Sequence, residues 1–194
     1  DMPDIVMQAL IKKSGLDIKN DFKLQYVATP VDAMQMLILR RADHALLAEP
    51  AISIALRKTG SFPVKLIAPD LYRSINLQEE WGRLYKIEAK IPQAGLAIIG
   101  DTNGKEELIS KVLAEYDKSL AWYKNNKEEA SKLVVKTLPM LEEKGLADSI
   151  EYVRFENISA IKSKKDLEFF FDILMQNDSK LIGGKLPNED FYYK

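Results

Sequence analysis

The stretch Tyr26-Val27-Ala28-Thr29-Pro30-Val31-Asp32-Ala33, followed by Arg41-Ala42-Asp43-His44-Ala45-Leu46-Leu47-Ala48-Glu49-Pro50, decides how the chain is read. Phe22, Leu24, Tyr26 and Ala28 alternate with mostly polar residues, the period of a strand with one buried face. Thr29-Pro30 then supplies a hydroxyl cap and a proline suited to a first helical turn. The helix it opens has apolar positions that include Val31, Met34, Leu37 and Ile38. His44 to Ala48 is a short apolar run of the kind a buried parallel strand shows. Glu49-Pro50 breaks it and opens another helix through Ile52, Ala55 and Leu56, ending at Gly60. Val64 to Ala68 reads as a further strand, stopped by Pro69. Strand–helix–strand–helix–strand within about 50 residues has the scale of βαβ units, which predicts an α/β lobe with a mostly parallel sheet.

Upstream, Met2, Ile5, Val6, Ala9 and Leu10 recur at helical spacing, so residues 2–14 are expected to form a helix. Pro3 suits its first turn, Asp1 and Asp4 suit its positive end, and Gly15 is placed to terminate it. Downstream, Leu71, Ile75, Leu77, Trp81 and Leu84 are compatible with a short helix or an ordered loop. Pro92-Gln93-Ala94-Gly95 leads into a strand from Leu96 to Ile99, and Gly100-Asp101-Thr102-Asn103-Gly104 is a dense turn cluster. The main boundary is placed there, dividing the chain into 1–100 and 101–194.

Beyond it the pattern is mostly helical. Ile109, Val112, Leu113, Tyr116, Leu120 and Tyr123 make one long stripe. Asn125-Asn126 interrupts it before Lys127 to Lys136 resumes. Tyr152, Arg154 and Glu156 alternate weakly, as in a strand. Leu167, Phe170, Phe171, Leu174 and Met175 define a final helix with Ser163 as its expected cap.

Composition narrows the chemistry. The 194 residues carry 28 Lys+Arg against 29 Asp+Glu, so no basic excess exists to neutralise a phosphate backbone, and nucleic acid is not an expected partner. Cysteine is absent, which removes disulfides, thiol catalysis and zinc–thiolate sites together. His44 is the single histidine and is read as structural, because a triad or His-rich metal site has nothing else to draw on. No apolar run approaches the ~18 residues of a membrane span. No catalytic residue, metal ligand or cofactor is therefore assigned. The chain opens at Asp1 without Met and without a signal-like segment, so further sequence is expected upstream.

Two residues allow a site. Glu49 directly follows an apolar run and precedes Pro50. It is either a charge complementing a helix N-terminus or a carboxylate at the mouth of a cleft. Trp81 lies in an irregular segment, where an indole either covers a ligand or packs a core.

The quoted stretch resembles the solute-binding proteins of ABC importers, in the nitrate, sulfonate, taurine and thiamine-precursor branch. Glu79-Glu80-Trp81-Gly82, Ile91-Pro92-Gln93-Ala94-Gly95 and Gly183-Gly184-Lys185-Leu186-Pro187 with Phe191-Tyr192-Tyr193 fit the same pattern, so the resemblance spans the chain. It implies a type II periplasmic-binding-protein fold of two α/β lobes with a hinge. Residues 1–100 would be most of the second lobe and 101–194 the returning part of an incomplete first lobe. It further implies a periplasmic or membrane-anchored extracellular monomer that closes by hinge bending on a small polar solute and docks on a membrane permease, without covalent chemistry. The ligand residues it implies are Asp1, Met2, Thr29, Glu49, Trp81, Gln93 and Asn157. Asp1 replaces a serine that serves an anion in many members, which favours an amine-bearing or heteroaromatic solute unless Asp1 only caps its helix. Two alternatives share the fold: a pyrimidine-precursor biosynthetic enzyme, whose cysteine-rich motif is missing here, and the ligand-sensing half of a transcription regulator.

Overall fold

The computed structural model describes residues 2–193, and those residues are helical and irregular: 57% lie in helix and none in strand. The α/β, periplasmic-binding-protein-like architecture expected from the sequence is therefore overturned. In chain order the α-helices are α1 (Met2–Lys13), α2 (Pro30–Ile38), α3 (Ala51–Gly60), α4 (Leu77–Tyr85), α5 (Glu106–Asn125), α6 (Lys127–Thr137), α7 (Glu143–Ser149) and α8 (Ala160–Asn177). Short 3₁₀ turns occupy Val64–Leu66, Ile150–Tyr152, Ser179–Ile182 and Glu189–Phe191.

The failure of the strands has a physical basis. Alternation reports that one face of a segment is apolar, but a strand exists only when a neighbour satisfies its N–H and C=O groups. Residues 22–28, 44–48 and 96–99 form no ladder with one another, and Phe22, Leu24, Leu96 and Ile98 are exposed. The expected strand at 64–68 instead closes on itself: Ile67 N–H donates to Val64 C=O at 3.0 Å and Leu66 N–H to Pro63 C=O at 3.1 Å. The expected strand near 152–156 follows the 3₁₀ turn Ile150–Tyr152 and gains no partner strand.

The helices follow their sequence signals more closely. Thr29 caps α2 as expected: its Oγ accepts from Asp32 N–H at 3.2 Å, and the Asp32 carboxylate accepts from Thr29 N–H at 3.0 Å, a reciprocal capping box. α3 ends at Gly60, and Asn126 separates α5 from α6. Ser163 is not the cap of α8. That helix starts at Ala160 after Ser159, and the Ser163 hydroxyl donates to the Ser159 carbonyl at 3.1 Å.

The chain forms two compact units, each built from separated segments. The first takes residues up to Gln25, Ser74–Ala97 and residues from Ile158 onward. Its core is Val6 and Leu10 of α1, Trp81 of α4, Ile91, and Phe170, Ile173 and Leu174 of α8. Gly82 permits the close return of the chain after α4, because a Cβ there would stand 2.9 Å from the Ala89 Cα.

The second unit comprises Tyr26–Arg73 and Ile98–Asn157. Here α7 packs against both α3 and α6. The buried positions of these helices are mostly small: Ser53, Ala55 and Thr59 of α3, Ala130 and Ser131 of α6, and Gly145 and Ser149 of α7. Small side chains let the helix backbones approach closely. A Cβ on Gly145 would fall 2.9 Å from the Ile54 Cα.

Candidate functional site

The N-terminal end of α3 organises a polar cluster in the second unit. The Glu49–Pro50 peptide bond is cis, and Pro50 precedes the first helical residue, Ala51. Glu49 Oε2 accepts from the Ser53 N–H at 3.1 Å, which satisfies one of the donors that a helix start leaves open. Its other oxygen, Oε1, accepts from Arg73 Nη2 at 2.6 Å. The Glu49 side chain is only 9% exposed, so this charge-assisted bond forms largely out of water.

Arg73 is held from three sides. Nη2 also donates to the Ser53 hydroxyl at 2.7 Å, and the guanidinium lies over the Tyr152 ring, 3.5 Å from its centroid. Stacking uses the face of the guanidinium and leaves its edge available for hydrogen bonds. Nε and Nη1 are not committed to any other described residue.

Ser53, Arg73 and Tyr152 line a cavity of about 300 Å³ together with Arg57, Lys127 and Asp148. Arg57 forms a two-pronged pair with Asp148, Nε to Oδ2 at 2.8 Å and Nη2 to Oδ1 at 3.1 Å, and this pairing raises the guanidinium pKa above its ordinary value. Lys127 donates to Glu151, which also lines the cavity. Each lining cation thus has a carboxylate partner, so the cavity has no large surplus of either charge. Arg57 Nη1 and the Arg73 edge remain as donors, and the carboxylates remain as acceptors.

Asp1 lies outside the described residues. In the first unit, Met2 is half-buried against the core. Trp81 is 1% exposed, with Tyr85 at 4.7 Å, Phe169 at 5.8 Å and Phe170 at 5.9 Å between ring centroids. Of the two readings of this indole, packing is the one its surroundings match. Gln93 is exposed in the irregular segment after Ile91. In the second unit, Thr29 spends its hydroxyl on the α2 cap, donating to Asp32 Oδ2 at 2.8 Å. Asn157 is exposed and donates from Nδ2 to Asp117 Oδ1 at 2.8 Å. Glu49 alone among the named residues bonds to lining residues of the cavity.

Arg73, Ser53, Arg57, Tyr152, Lys127 and Asp148 were not singled out by the sequence. One signal pointed toward Arg73: a carboxylate at the end of an apolar run is rarely buried without a cation, so a partner for Glu49 was required. Its position, 24 residues onward in an irregular segment, carried no periodicity to identify it.

Neither a family model, nor a curated protein, nor a solved structure matches this chain.

Proposed function

We propose that this chain is a solute-binding protein of the kind that serves ABC importers, working outside the cytoplasm and delivering a small polar organic solute to a membrane permease. The sequence resemblance supplies the transport role. The observation that carries the binding role is the Arg73 guanidinium, oriented by Glu49, Ser53 and Tyr152 at the edge of a cavity of about 300 Å³. Pre-orientation matters because a guanidinium already fixed in place loses little freedom when it accepts a ligand.

The paired charges of the lining favour a solute of little net charge that offers both donors and acceptors. A heteroaromatic compound, or an amine-bearing one that also carries an acid group, meets that requirement. Glu49 acts through Arg73 in this arrangement, since both its oxygens are engaged. It is a positioning residue.

Thermal-shift screening of the protein against a library of small polar solutes tests the reading, because a ligand that binds only the folded state raises the melting temperature by mass action. A stabilising solute should emerge, and Arg73→Ala should weaken its affinity about tenfold or more, the loss expected for hydrogen bonds to a charged group. A library without a single stabilising solute, or a hit whose affinity is unchanged in Arg73→Ala, would overturn it.

A further inference from the structure

Residues 57–69, Arg57-Lys58-Thr59-Gly60-Ser61-Phe62-Pro63-Val64-Lys65-Leu66-Ile67-Ala68-Pro69, contain three cations and no acid. They form the end of α3 and the turn that follows it. Four large apolar side chains on and just beyond this turn stand almost free in solvent: Phe62 is 82% exposed, Leu66 74%, Ile67 70% and Tyr72 79%. Side chains this exposed protrude from the surface.

Four backbone N–H groups of the turn find acceptors within it. Lys65 N–H donates to Ser61 C=O at 2.9 Å, Leu66 N–H to Pro63 C=O, Ile67 N–H to Val64 C=O, and Ala68 N–H to Val64 C=O. Pro63 has no N–H to satisfy. A turn with few open amides can enter an apolar medium without the heavy cost of stripping water from them.

Lysines stand around the turn together with two acids, Glu142 and Asp70. Lys58, Lys65 and Lys144 are exposed and form no ion pair with any described residue. Lys58, Phe62 and Lys144 line one shared hollow. The acid in that hollow, Glu142, spends its carboxylate on the backbone N–H groups of Lys144 and Gly145 at the start of α7. Asp70 follows the acid-free run.

We propose that this turn docks on an anionic lipid bilayer, with Phe62, Leu66, Ile67 and Tyr72 entering the headgroup region and Lys58, Lys65 and Lys144 facing lipid phosphates and carboxylates. Protruding apolar tips combined with unpaired lysines fit a bilayer interface better than a protein partner, whose interface core excludes lysine. Among the described residues no helix is long and apolar enough to cross a membrane, so the contact is peripheral. Arg57 lines both this hollow and the Arg73 cavity, but none of the residues named in the bilayer contact lines that cavity.

Co-sedimentation with vesicles of phosphatidylcholine, with and without phosphatidylserine, tests the proposal at low and at high salt. Binding should require phosphatidylserine and weaken with salt. Each of Lys58→Gln and Lys65→Gln should lower the partition coefficient about fivefold, the equivalent of about 1 kcal/mol per lysine at an anionic surface. Leu66→Ser with Ile67→Ser should abolish binding while the helical circular dichroism is retained. In Phe62→Trp, the emission added to that of the parent protein should shift to the blue on adding phosphatidylserine vesicles. Failure to sediment with either vesicle would overturn the proposal. So would binding indifferent to the lysine variants, or light scattering showing that the turn self-associates and ignores vesicles.

Discussion

At Glu49 a carboxylate is almost covered, whereas its partner Arg73 keeps 32% of its side chain in contact with solvent. The two halves of the pair are therefore not equivalent. Arg73→Ala strands a buried negative charge and should destabilise the second unit by about 2 kcal/mol, while Glu49→Gln leaves a partly hydrated guanidinium and should cost about half as much. Urea denaturation of the two variants checks the asymmetry; equal losses would show that Glu49 is not effectively buried. In the other unit, Trp81 fills the space between α1, α4 and α8, and Trp81→Ala should cost about 3–5 kcal/mol. Near-native stability of that variant would place the indole outside the core. Tyr192 is 4% exposed and donates to Glu168 at 3.3 Å. Burial is the main cause that raises its pKa above the ordinary 10.0, with the Glu168 charge adding to it. A raised folded-state value favours the neutral phenol, so this contribution to stability is complete below the unfolded pKa and disappears as pH climbs through the folded one. Melting temperatures measured on either side of pH ~10 should fall on the alkaline side, and Tyr192→Phe should flatten part of that fall.

For the elements, helix boundaries are the part that local chemistry controls. The Thr29–Asp32 capping box, the break at Asn126 and the last residue of α3 are short-range decisions, made within one or two turns. The packing of α7 on α3 is a different kind of decision. It depends on Gly145, whose added Cβ would meet the Ile54 Cγ1 at 2.7 Å and its Cα at 2.9 Å. Backbone atoms cannot step aside as a flexible side chain can, so Gly145→Ala should force the helices apart and cost about 1–3 kcal/mol, despite the better helix propensity of alanine. A gain in melting temperature would mean that the α3–α7 approach is looser than described. The short α7 itself, Glu143–Ser149, had no apolar stripe long enough to predict it, and it is stabilised by the Glu142 side chain capping its first turn.

For the whole molecule, the absence of a sheet among the described residues makes a direct spectroscopic prediction. Amide infrared and far-ultraviolet circular dichroism should show helix and irregular structure with no strand band, and amides within 44–48 and 96–99 should exchange rapidly with deuterium, because no ladder protects them. Slow exchange across those runs would restore the strands. The sequence by itself determined the helices whose signals are local: α1, the capped start of α2, the end of α3, the long stripe of α5 and the aromatic face of α8. It also marked Glu49 as a carboxylate with an unusual place. Only the tertiary structure decided the rest. Apolar alternation at 22–28 is the same whether or not a partner strand lies alongside, so pairing is not contained in the segment that displays it. Likewise Arg73 and Tyr152 reach Glu49 only after distant parts of the chain are brought together, and their roles arise from that meeting, because a guanidinium becomes a fixed donor only when a carboxylate, a hydroxyl and a ring hold it at once.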